Sequence, residues 1–157
     1  MTINLVKPMK VIVVYDSMFG NTKKVAEEIG KSISENKERE VSVNDVKKVK
    51  ADEVFNYDLI LVGSPNHMGG PSRPIKKFID GLKKIDLKGK KVAVFDTYVK
   101  KNVGKAVRKM EKRIIKNIPE LNLLAPGLSI KVMGIRGPLE EGEILRAIDF
   151  GKNVVNK

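Results

Sequence analysis

Short apolar runs alternate with stretches of helical periodicity along almost the whole chain. Val11 to Val14 is a continuous β-branched run, as a strand buried on both faces requires. From Thr22 the apolar positions Val25, Ala26, Ile29 and Ile33 fall at helical spacing. Glu40 to Asn44 alternates, with Val41 and Val43 on one side, and reads as a short strand. Val46 to Asn56 is a charged connection with a helical turn near Ala51. Asp58 to Gly63 is a second fully apolar strand, and Ser64 to Ser72 a turn-rich loop. Pro74 opens a helix whose inner face is Ile75, Phe78, Ile79 and Leu82. Lys90 to Phe95 is the next strand, with Asp96 to Val99 as its loop. Val103 to Ile118 is an amphipathic helix with Val103, Val107, Met110, Ile114 and Ile118 inward, closed by Pro119. Leu128 to Ile135 reads as the final strand. Arg136-Gly137-Pro138 then turns the chain into a last helix, with Ile144, Leu145, Ile148 and Val155 facing inward.

Five strands alternating with helices predict one three-layer α/β domain over residues 1–157, a doubly wound, five-stranded parallel sheet with a short lead over 1–10. In such a sheet the ligand crevice lies at the carboxyl ends of the strands. The loops there are Ser17–Thr22, Ser64–Gly70 and Asp96–Tyr98. The first is rich in hydroxyls and turn formers and sits where a helix begins. Backbone N–H groups at a helix start are unpaired and carry partial positive charge, which makes this a phosphate site. The Ser17 and Thr22 hydroxyls add donors. Neither GxxxxGK[ST] nor GxGxxG is present, and no Lys or Arg lies inside the loop. The plainer reading is an ordinary turn with Asn21 or Thr22 as the helix cap.

Composition narrows the chemistry. The chain has no cysteine, which removes disulfides, iron–sulfur ligation and thiol catalysis. One histidine and no cysteine also argue against zinc. Redox chemistry here comes from an organic cofactor or not at all. The formal charge of +12 points to an acidic protein, nucleic acid or an anionic membrane surface as partner, or simply to a solvated lysine surface. No apolar run is long enough to span a membrane, and the N-terminus lacks a signal-peptide pattern, so the expected location is cytoplasmic.

The stretch from Lys10 to Ile29 resembles the flavodoxin family: Val13, Val14, Tyr15, Ser17, Gly20, Thr22, Ala26 and Ile29 fall in register. The resemblance extends over nearly the whole chain. It implies strand order 2-1-3-4-5 and FMN as cofactor. It also implies cofactor-binding positions at Ser17, Met18, Phe19, Gly20, Asn21 and Thr22, with Ser17, Gly20, Asn21 and Thr22 on the phosphate. Pro65, Asn66, His67, Met68, Gly69 and Gly70 correspond to the loop beside the flavin ring. There the family turns a peptide over when the flavin accepts one electron, a role open to Gly69 or Gly70 because positive φ costs glycine little. Thr97 and Tyr98 correspond to the ring's polar edge and its stacking aromatic. His67 reads as ring-edge packing or a solvated side chain rather than an acid or base. The middle loop lacks Trp and Tyr, leaving His67 or Met68 as the second ring neighbour, and the chain is basic where many family members are acidic.

The expected function is that of an FMN-binding electron carrier with no dedicated catalytic residue and no metal. Acidic redox proteins, such as ferredoxin-type donors or acceptors, are its expected partners. Lys101, Lys105, Arg108, Lys112 and Lys116 form a stripe opposite the apolar face of their helix, either a docking surface or a solubilising one. Two alternatives stay open. One is an FMN oxidoreductase on the same fold, of the quinone-reductase or porphyrin-precursor-oxidase type. The other is a basic nucleic-acid-binding module, against which stand 5% aromatic content and no reader motif.

Overall fold

The computed structural model describes residues 7–157. The lead expected ahead of the first strand falls partly on residues 1–6, outside the described residues. Strand β1 is Met9–Tyr15, followed by helix α1, Asn21–Ser34, and β2, Arg39–Asp45. Two 3-10 turns, Val46–Lys48 and Ala51–Asn56, fill the charged connection and lead to β3, Leu59–Pro65. Helix α2, Arg73–Gly81, β4, Lys91–Tyr98, and α3, Lys105–Asn117, come next. Two short strands, β5 (Asn122–Leu123) and β6 (Leu128–Lys131), precede α4, Glu143–Val154.

The pairings between these strands are parallel, in the order β2-β1-β3-β4-β5. The fifth position is divided: β5 pairs with the start of β4 and β6 with its end. The expected single last strand is therefore two pieces, and its second piece ends at Lys131 instead of Ile135. Residues 132–139 fold back as a hairpin, with Val132 bridged to Leu139.

Strand period and burial explain the layers. Val11, Val13, Leu59, Leu61, Ala93 and Phe95 pack with Val25, Ala26 and Ile29 of α1 and Ala147 and Val154 of α4. Their neighbours Ile12, Val14, Ile60, Val62, Val92 and Val94 pack with α2 and α3. Successive residues point to opposite faces, so apolar runs of this kind are what a sheet covered on both sides needs. Helix faces follow the expected positions except at Val103 and in α4, where Ile144 and Ile148 are only half-buried and join neither core cluster and Leu145 is exposed. Val103 precedes α3 and is 51% exposed, and Leu145 is 67% exposed. The inner face of α4 is carried by small residues, Ala147 and Gly151, which let α4 approach α1 closely.

β3 and β4 run past the expected strand ends, through Pro65 and Tyr98, with Ser64 opposite Asp96 and Pro65 opposite Thr97. Gly63 is opposite Phe95 in the same ladder, and a Cβ on Gly63 would lie 2.1 Å from the Phe95 ring. Phe95 is fully buried, so its ring has nowhere to retreat. Gly63→Ala is expected to cost about 1–3 kcal/mol of overpacking. Urea unfolding of the purified variant checks this, and a midpoint equal to that of the parent contradicts it.

Candidate functional site

Three carboxyl-edge segments converge as the strand pattern requires. At the end of β1, Ser17 Oγ accepts the Gly20 amide at 3.0 Å. Gly20, at φ 94°, is the N-cap residue of α1, and no side chain caps the helix. Positive φ there suits glycine, not a residue with a Cβ. The amide of Lys24 bonds to the Gly20 carbonyl at 3.0 Å. The amides of Asn21, Thr22 and Lys23 lie ahead of it in the unpaired first turn. The Thr22 hydroxyl does not cap the helix but pairs with the Thr97 hydroxyl at 2.8 Å, both residues buried. The side-chain-capped turn considered from the sequence is thus absent.

The start of α3 is treated the opposite way. Its N-cap, Gly104, again lacks a local side-chain cap. Distant residues supply acceptors instead. Asn66 Oδ1 accepts the Ala106 amide at 3.0 Å, Asp96 Oδ2 the Val107 amide at 3.0 Å, and Ser129 Oγ the Gly104 amide at 2.8 Å. The Ser129 hydroxyl in turn donates to Asp96 Oδ1. Asn66 also donates its backbone and side-chain N–H to the Thr97 carbonyl, at 3.1 and 3.0 Å. One carboxylate and one amide thus tie β3, β4, β6 and α3 together. Asp96 has no exposed surface, and burial pushes its carboxyl above the usual range despite the opposing bonds from Ser129 and Val107.

The middle loop closes as a two-residue hairpin turn. His67 and Gly70 exchange both backbone bonds, at 2.7 and 3.1 Å. Met68 at φ 52° and Gly69 at φ 75° occupy its centre, as a type I′ turn demands. Met68 is fully exposed at the tip. Gly69 and Gly70 are buried beneath lysine stems: a Cβ on Gly69 would lie 3.4 Å from Lys105 Cδ, and one on Gly70 3.3 Å from Lys109 Cδ. Two α3 lysines therefore lie across the loop, their stems on backbone.

Between these segments is a cavity of about 500 Å³. It brings together the expected site residues Ser17, Met18, Phe19, Asn21, Thr22, Pro65, Asn66, His67, Met68, Thr97 and Tyr98. Gly20, Gly69 and Gly70 are not on its wall; they shape the turns behind it. Three lining residues escape the sequence reading: Val99, Val132 and Ile135. The last two belong to the 132–139 hairpin, which periodicity merges into a strand. The hairpin backbone presses on the first loop, since a Cβ on Gly137 would lie 2.7 Å from Asn21 Oδ1.

Comparison with known proteins agrees with this fold. The sequence pattern of the family described as Flavodoxin matches residues 13–117. A flavodoxin of Maridesulfovibrio salexigens is 32% identical over 158 residues, covering 94% of this chain and 98% of that protein. A flavodoxin of Aquifex aeolicus is 38% identical over 73 residues, which span 46% of this chain and 40% of that protein. Among solved structures, a flavodoxin from the domain Archaea superposes with a TM-score of 0.80 at 30% identity, covering 94% of this chain and 97% of that one.

Asp96 gives a pH signature. Its folded value is raised. The folded chain therefore keeps a proton over a range in which the unfolded chain has lost it. The stability this contributes is complete below the unfolded value, about pH 3.9, and is lost as pH rises through the folded value. Asp96→Asn keeps an acceptor for the Val107 amide and removes the titration. Urea midpoints of both proteins, taken stepwise upward from about pH 4, should diverge: the parent loses this component and the variant does not. Parallel curves contradict the assignment.

Proposed function

Because the chain belongs to the flavodoxin family of FMN-binding electron-transfer proteins, we propose that it holds FMN noncovalently in the carboxyl-edge cavity. In this reading it works as a single domain over residues 1–157 and carries electrons between redox proteins of the cytoplasm. FMN, when bound, supplies one-electron redox chemistry. The chain's own residues bind it, orient it and keep water from it.

The observation that carries the reading is the open N-terminus of α1. Both helix starts at this edge have a serine on the N-cap amide, Ser17 at Gly20 and Ser129 at Gly104, but in the first turn of α3 Asn66 and the buried Asp96 accept the Ala106 and Val107 amides, whereas no side chain accepts a first-turn amide of α1, which borders the cavity. Unpaired amides at a helix start suit a phosphate. The residues present fit the rest of the cofactor. A cavity of about 500 Å³ lies in the range of cofactor sites. Tyr98, half-buried, offers an aromatic face, and Thr97 a hydroxyl already paired with Thr22. Pro65 to Met68 supply the facing wall. Lys105 and Lys109 bring positive charge beside that wall, and positive charge favours a cofactor that gains negative charge on reduction.

The partner reading rests on charge. Lys105, Arg108, Lys112 and Lys116 are exposed on α3, and Lys101, expected on the same helix face, is exposed in the turn before it. Lys101 and Lys105 flank the start of α3, close to the cavity mouth, where Met18, Met68 and Ile135 are also exposed. An apolar rim beside a basic stripe suits an acidic redox protein of ferredoxin type.

Two measurements test these readings. Thr22→Val removes a hydroxyl at the phosphate end and keeps most of the shape. Calorimetric titration with FMN should show affinity reduced by about 1.5–3 kcal/mol; an unchanged affinity contradicts the phosphate assignment. For the partner, stopped-flow electron transfer with an acidic ferredoxin-type protein is followed across a salt series. Lys101→Glu with Lys105→Glu should slow association on the order of tenfold at low salt and flatten its salt dependence. Equal rates and slopes leave the stripe as a solvated face.

A further inference from the structure

We infer that Arg136 is a phosphate-binding residue of the cofactor site, delivered by the Val132–Leu139 hairpin to the loop at the start of α1. This rests on the FMN reading above and deepens it, because the first loop itself holds no cation.

The hairpin is built to hold its position. Val132 donates its amide to the Tyr98 carbonyl at 2.8 Å, which fixes one arm to the end of β4. Met133 donates to the Pro138 carbonyl at 2.8 Å, and Gly137 to the Gly134 carbonyl at 2.9 Å, closing the tip. Glu140 donates to the Lys131 carbonyl at 3.0 Å, fixing the returning arm. Val132 and Ile135 face the cavity, so the hairpin forms one of its walls. At the tip, Gly137 lies against the Asn21 side chain so closely that a Cβ would collide with it. Asn21 is the first residue of α1, so the tip abuts the helix start itself.

Arg136, next to Gly137, carries its guanidinium over the Phe19 ring, 5.6 Å from the centroid. Phe19 is in the loop that runs from β1 into α1. An aromatic face orients a guanidinium without neutralising it, and leaves the N–H groups at its edge free for an anion. Among the described residues, Arg136 is in no ion pair. The arginines that are paired, Arg113 with Asp80 and Arg146 with Glu143, lie on helices α3 and α4. An exposed, unneutralised, aromatic-seated guanidinium beside uncapped helix amides is the donor set for a phosphate dianion. The apolar hairpin wall and this cation would then serve opposite ends of one ligand. Ile135 and Val132 face its uncharged part, and Arg136 its charge.

Comparing FMN with riboflavin, which lacks the phosphate, isolates the claim. Flavin fluorescence quenching gives both affinities for the parent, Arg136→Gln and Arg136→Lys. Arg136→Gln should weaken FMN about tenfold to a hundredfold while changing riboflavin by less than about twofold. Its FMN affinity should also depend less on salt than that of the parent. Arg136→Lys, which keeps the charge, should recover part of the loss for FMN alone. Equal losses for FMN and riboflavin would make Arg136 a support for the hairpin and overturn the inference, as would no loss for either. A parent chain that binds riboflavin and FMN equally overturns the phosphate assignment of the first loop as well. A parent that binds neither flavin overturns the cofactor reading and this inference with it.

Discussion

Everything at the carboxyl edge follows from the need to give buried helix-start amides an acceptor. A buried N–H without a partner costs on the order of 1–3 kcal/mol, so the start of α3, where Gly104, Ala106 and Val107 are buried, must satisfy its amides within the protein, whereas the start of α1, with Gly20 and Lys23 exposed, need not. At α3 the protein does so internally. Asp96 and Asn66 reach the amides of Val107 and Ala106, and Ser129 joins Gly104 to Asp96. Keeping a carboxyl group fully buried has a cost of its own, since burial pushes Asp96 above the usual range, and the same bonds offset part of it. The result is a rigid corner. The end of β4, the loop after β3 and the start of α3 cannot shift independently, because they share Asp96 and Asn66. At α1 no side chain accepts the first-turn amides.

That division gives the site a fixed side and a receptive side. The fixed side carries Thr97 and Tyr98 on a strand end, not on a free loop. The turn at Met68 and Gly69 is more exposed, but lysine stems from α3 cover its glycines. The side proposed to receive the ligand is the first loop, braced from outside by the 132–139 hairpin. Charge follows the same geography. The lysines of α3 lie by the middle loop, and Arg136 lies by the first. A net charge of +12 alone says little about a cofactor. The placement of these few side chains says more, because screening makes the distant ones nearly irrelevant.

Much of this was legible in the sequence where one physical signal was strong. The β-branched run at Val11–Val14 and the apolar run in Asp58–Gly63 announced strands buried on both faces, and the hydroxyl-rich break at Ser17–Thr22 announced the crevice. Other features were hidden for identifiable reasons. Ala147 and Gly151 carry the inner face of α4 but have little hydrophobic signal, so the larger Leu145 drew the assignment to the wrong side. Thr97 and Tyr98 look like loop residues by composition, yet ladder pairing with β3 and β6 holds them in a strand. The apolar run through Val132 and Ile135 has no turn signal until Gly134, so a hairpin passed for the end of a strand. Asp96 and Asn66 do their work through contacts 11 and 40 residues away in sequence, beyond the reach of any local pattern.

The central claim is that the open start of α1 and the cavity beside it are one binding site for FMN. The most direct measurement is an amide nitrogen–proton correlation spectrum of the isotope-labelled chain, recorded with increasing FMN. The account predicts saturable shifts gathered at Ser17–Thr22, at Asn66–Gly70 and at Thr97–Tyr98, with the largest at the amides of Asn21, Thr22 and Lys23. Shifts that spare the first turn of α1, or no shift at all, would contradict it.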